Sequence, residues 1–129
     1  MLVTSIPQYI QGLTNAKLVL TTTDATVLYT APSGAESNSS VINSIIVHEH
    51  SNNSDTVRVF ITDIDGNVFE MFDKTVAGHG TEELLTRDLV LQAGESISFQ
   101  AGTANRIHIV ASIQELIKTR ITTSALSQI

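Results

Sequence analysis

The sequence predicts an all-β protein: a single antiparallel β-sandwich or jelly-roll-like domain of about eight strands with extended N- and C-terminal arms. Three observations predict it. Apolar residues recur with period two in nearly every segment, rather than with the 3.6 of a helix. Turn-forming Gly, Asn, Asp and Pro punctuate the chain at short, fairly regular intervals. Little sequence is left over for helices, the one candidate beginning near Ile113, where "SIQELIK" also fits helical spacing.

The elements follow in order. "AKLVLTTTDATVLYTAP" reads as strands over 16–22 and 25–31, joined at Thr23 and Asp24, and Pro32 and Gly34 then open a polar loop, "PSGAESNSS". A third strand, "VINSIIVHEH" (41–50), runs into the turn-rich "SNNSD". "TVRVFITDIDGNVFEMFDKTV" is the clearest hairpin, with Asp65-Gly66 suited to a tight primed turn. Asp63, Asp65 and Asn67 also suggest a calcium loop, but the glycine is misplaced and Lys74 stands where the bidentate glutamate belongs. "AGHG" (77–80) is a flexible break. "TEELLTRDLVLQAGESISFQAG" then supplies a strand, a turn at Ala93-Gly94, and a strand with Ile97, Phe99 and Ala101 on one face. In "NRIHIVASIQELI", Ile107, Ile109, Ala111 and Ile113 share a face opposite Arg106, His108 and Ser112. Residues 1–13 are assigned to an N-terminal arm, 14–117 to the sandwich, and 118–129 to a C-terminal tail or arm. The tail carries Lys118 and Arg120 while all the acidic residues precede it.

Size and charge exclude several functions. A chain of 129 residues suits one compact domain. No apolar run approaches the roughly 20 residues of a membrane-spanning helix, and no basic residue precedes Lys17, so neither a membrane span nor a secretory leader is expected. Thirteen acidic against seven basic residues give a net charge of −6, which opposes nucleic-acid binding. The absence of cysteine excludes disulfides, thiolate metal sites and thiol nucleophiles.

His48 and His50, two apart on a strand, point the same way and are the candidate metal ligands, with His108 as a third if its strand lies alongside. A cupin-like metalloenzyme would also need a glycine at position 42 and a glutamate at 54 or 55. Ile42, Ser54 and Asp55 stand there, and Arg106 puts positive charge beside His108. Glu82 and Glu83 would face opposite ways, and no Gly-x-Ser-x-Gly turn or phosphate-cradling loop is present. The lack of Trp, with Phe60, Phe69, Phe72, Phe99 and Tyr29 all inside strands that a core can absorb, argues against a glycan-binding fibre module. No catalytic residue and no cofactor is therefore assigned.

Tyr29, Pro32 and Gly34, then Val41 and Ile45, then Leu91, Gly94, Glu95 and Ile97, and finally Ser112 and Glu115 occupy matching places in a class of small β-sandwich virion proteins of tailed bacteriophages. Over about residues 20–117 the chain resembles that class. The resemblance implies a non-enzymatic structural component, most simply a capsid decoration or cement protein on the major capsid protein lattice. The alternative is a neck or tail accessory protein. It also implies a place in the virion after assembly in the host cytoplasm, with other virion proteins as partners. A homotrimer at a local threefold axis would cover each edge strand. Contact residues are expected in the arms: Ile6, Tyr9 and Ile10 at one end, Arg120 and Ile121 at the other.

Overall fold

The computed structural model describes residues 8–35 and 37–118. The strands are β1 (Gln8–Val19), β2 (Thr26–Thr30), β3 (Ser37–Glu49), β4 (Asp55–Thr62), β5 (Val68–Val76), β6 (Thr81–Glu83), β7 (Leu89–Gln92), β8 (Ser96–Ala101) and β9 (Ile107–Lys118). They form two antiparallel sheets packed face to face. One runs β1-β9-β3, with β6 and β7 both pairing the far edge of β3, and the other runs β2-β8-β4-β5. Every connection except β4 to β5 and β6 to β7 crosses from one sheet to the other, which is the winding of a jelly roll.

The alternation that predicts the strands also builds the core. Ile42, Ile45 and Val47 on β3 and Ile107, Ile109, Ala111 and Ile113 on β9 meet Val57 and Val59 on β4 and Ile97, Phe99 and Ala101 on β8, all essentially inaccessible. Each of the larger side chains contributes roughly 1.5–3 kcal/mol by leaving water. Ile42 and Ile45 are three apart, an odd spacing that period two cannot place on one face. A β-bulge between Ile42 and Ser44 inserts the extra residue and returns both to the core.

Several boundaries differ from the sequence reading, each because pairing outranks local composition. β1 begins at Gln8, so residues 8–13, read above as arm, pair with β9 from Gln8↔Lys118 onward. Ser37–Ser40 belong to β3 rather than to the polar loop, held by Ser39↔Gln92 and Ser40↔Leu91. The helix considered from near Ile113 is instead the end of β9, since Ile113 has Thr14 on one side and Ile42 on the other. The single strand expected after "AGHG" is two short ones, separated where Leu84 turns into the core and donates its N–H to Ile45 O at 2.9 Å.

The expected primed turn at Asp65-Gly66 is also revised. A type I′ turn needs positive φ at both central residues, and only Gly66 has it, at 86°. Gly66 N–H donates to Asp63 O and Asp63 N–H to Asn67 O, so Ile64, Asp65 and Gly66 form a three-residue loop. The Asp-x-Asp-x-Asn pattern has a local cause: Asp63 Oδ1 accepts the N–H groups of Asp65 and Asn67, both at 2.9 Å.

Candidate functional site

The histidines come from two neighbouring strands. Ile45, Val47 and Glu49 point inward on β3, so His48 points outward, and His108 lies opposite it on β9. His50 follows the strand, its N–H donating to Arg106 O at 2.8 Å, and its ring stacks on His108 with centroids 5.2 Å apart. His48 Nδ1 lies 2.8 Å from Thr81 Oγ1 on β6. The three imidazoles thus share one patch of the outer surface, as the His-x-His spacing and an adjacent β9 require. They do not converge: among the described residues no group of three His, Asp or Glu side chains is placed to hold a metal ion. His48 is occupied by a hydroxyl and His50 by a ring.

Glu49, between the two histidines, is the residue the spacing argument passes over. Its side chain is buried on the inner face, where Oε1 accepts the Ser51 N–H at 2.7 Å and Oε2 meets no donor among the described residues. Alternation alone would have placed it there. Glu82 and Glu83 do face opposite ways. Glu82 turns toward the gap between the sheets and reaches Lys74 Nζ on β5 at 3.1 Å, tying the two edge strands on that side. Glu83 turns outward and accepts from Ser44 Oγ, from Ile45 N–H at 2.7 Å and from Leu85 N–H at 3.2 Å.

At the other end of the sandwich, Tyr29 of the four-stranded sheet reaches across to the five-stranded one. Its hydroxyl donates to Glu115 Oε2 at 2.5 Å, leaving the buried Ser40 hydroxyl, 2.8 Å away, to donate back to the phenol oxygen. Burial, and then the bond to Glu115, push the Tyr29 phenol up to about 12. Beside this link, Ala93-Gly94 forms a turn with Gly94 at φ 85°, and Glu95 Oε1 accepts Gln92 N–H at 2.8 Å. The residues that carry the sequence resemblance therefore include those that close this end.

A depression of about 520 Å³ lies open on the outer face of the four-stranded sheet. Its Arg58 is engaged by Asp73 at 3.5 Å and Glu70 at 3.7 Å, a solvated ion cluster worth little energetically and without a reactive pair. Phe69, expected in the core, is half-exposed on β5, an edge strand.

The outer face of the five-stranded sheet has a different character. Register aligns Lys17, Val110, Ile46 and Glu83 in one row from β1 to β6, and Val19, His108, His48 and Thr81 in the next. Two rows away, Leu13, Gln114, Val41 and Val90 line up, with Asn15, Ser112 and Ser44 between. Lys17 and Glu83 are the only carboxylate or cationic Lys and Arg groups across these rows. Of the expected contact residues, Tyr9 and Ile10 lie on β1, their backbones paired with Ile117 and Leu116. Ile6, Arg120 and Ile121 lie outside the described residues.

No protein-family model matches the sequence, and no curated protein matches it. Solved structures do share its architecture. A chain of the acid-stable capsid of Helicobacter pylori bacteriophage KHP30 superposes with a TM-score of 0.56 at 12% identity, over 90% of this chain and 99% of that one. A chain of the disulfide-linked pili that form Bacillus endospore appendages superposes with a TM-score of 0.52 at 10% identity, over 88% of each chain. At these identities the likeness is one of fold: this chain shares its all-β sandwich with structural chains of a viral capsid and of a pilus.

Proposed function

We propose that this chain is a non-enzymatic structural protein of a bacteriophage virion, and within that class a decoration or cement protein bound to the major capsid protein lattice. What supports the reading most is the end-to-end fit to a chain from a phage capsid, over nearly the whole of both chains. The chemistry of the surface agrees with it. The described ionisable groups with resolved partners serve structural links, as Glu83, Glu115, Asp63 and Arg58 illustrate. A cement protein functions by burying surface at lattice junctions, and many copies multiply a modest contact through avidity.

The test is made on particles. The chain should be present in stoichiometric copies on purified shells, and shells lacking it should open at lower temperature or milder osmotic shock. Presence in a few copies at the tail vertex would reject decoration in favour of a neck or tail accessory. Removing residues 118–129 should lower occupancy on shells while leaving the unfolding transition in place; unchanged occupancy would remove the tail from the contact. Particle maps also read the stoichiometry at the junction, where a trimer is what a threefold axis imposes.

A further inference from the structure

The outer face of the five-stranded sheet carries a pattern that is complementary to its own reversal. Along one row the order is cation, aliphatic, aliphatic, anion: Lys17, Val110, Ile46, Glu83. Ile46 and Val110 are 42% and 38% exposed, although each sits in the middle of the sheet. In the row nearest the other end, the two outermost residues are aliphatic, Leu13 at 75% and Val90 at 50% exposed. We infer that this face is the contact between two copies of the chain, related by a twofold axis that runs along the strands between β9 and β3.

The geometry chooses that axis. A half-turn about a line parallel to the strands reverses each row and keeps the rows in order. Lys17 then lies over Glu83 of the second copy, Val110 over its Ile46, and Leu13 over its Val90. Every contact is made twice, as an isologous interface requires. A half-turn about the Lys17 row itself would set Lys17 over Lys17 and Glu83 over Glu83, and one about the Asn15 row would set both charges over the aliphatic Leu13 and Val90; neither pairs opposite charges. Depletion of charge at the centre, in a chain with thirteen acidic residues, is what the interior of a protein contact shows. The four-stranded sheet offers a contrast, since Arg58 of β4 and Glu70 and Asp73 of the edge strand β5 form a charged cluster on its outer face.

The patch spans four strands and about seven residues, roughly 20 by 20 Å. That is about 400 Å² per copy, less than a standard specific interface buries, so the dimer is weak and reversible rather than permanent. This inference stands independently of the virion reading, since it concerns two copies of one chain in solution.

Sedimentation analysis of the whole chain from about 1 μM to 1 mM tests it. The chain should pass from monomer to dimer. Lys17→Glu and Glu83→Lys should each weaken self-association about tenfold or more, since each places like charges together twice. Mixed in equal amounts, the two variants should form a heterodimer within about threefold of the native affinity, because both cross-contacts then pair opposite charges. Glu83 also anchors two backbone N–H groups, so a second pair guards against misfolding: Leu13→Asp and Val90→Lys, both exposed, should behave in the same way. A monomer throughout, a trimer, or mixtures that associate no better than the single variants while remaining folded would overturn the twofold contact. Binding of a folded, monomeric chain to shells through this face would also overturn it.

Discussion

Tyr29 shows how one side chain can join two sheets and record the junction in its titration. The phenol satisfies two groups from the opposite sheet, Ser40 and Glu115, and Ser40 is inaccessible to water. Tyr29→Phe should therefore cost about 1–3 kcal/mol in urea unfolding, chiefly by leaving the Ser40 hydroxyl without its acceptor. The pH dependence follows from the direction of the shift. The phenol ionises near 10.0 in the unfolded chain but only at about 12 in the folded one, so folding favours the protonated form. Its contribution is complete below pH 10 and is lost as pH rises toward 12. The stability difference between the native chain and Tyr29→Phe should thus narrow across that window. A constant difference would mean that the phenol is not held by Glu115. The residue type and its place on a strand are visible in the sequence, but Glu115 lies 86 positions away, and only the fold brings it near.

Among the elements, the corners decide more than the strands. "AGHG" reads as a flexible break, yet the structure uses its first glycine for close approach. A Cβ on Gly78 would lie 2.4 Å from the backbone C and O of Asn52, so the two loops pack without room for a methyl group. His79, at φ 56°, donates its N–H to Ser51 O in the same corner. Gly78→Ala should accordingly destabilise by about 1–3 kcal/mol, through displacement of backbone rather than of a yielding side chain. Gly12 supplies the control: a Cβ there meets nothing within 4 Å, and Gly12→Ala should change the urea midpoint little. Equal effects at the two positions would show that the corner yields. Strands were legible because alternation is local, and Ile97, Phe99, Ala101, Ile107, Ile109, Ala111 and Ile113 all lie in the core as their period requires. The turns were less legible. A glycine written for a tight primed turn, for a one-residue left-handed bend or for contact with another backbone looks the same in sequence.

At the scale of the whole molecule, what the sequence withholds is pairing. Nothing local in "GLTNAKLV" names β9 as its neighbour, and nothing in "TEELLTRDLVLQ" says that both of its strands join the same edge of β3. The candidate site divides along the same line. That His48 and His50 face one way is a property of their own strand, but whether His108 completes a metal site depended on β9, which comes alongside without making the three imidazoles converge. Because the sheet is closed by its two ends, Gln8 against Lys118, folding waits on contacts between the most distant parts of the described chain. Refolding should then be slow for a domain of this size, in the range of milliseconds to seconds. β1 also packs Ala16 and Leu18 against the core and covers the edge of β9. A chain beginning at Leu20 should lose its cooperative urea transition or aggregate through the bared β9, whose inward residues are all apolar from Ile107 to Ile113. If that shortened chain instead unfolded cooperatively at the native midpoint, β1 would be an ornament on a sheet complete without it, and the outer face it helps to build would need another explanation.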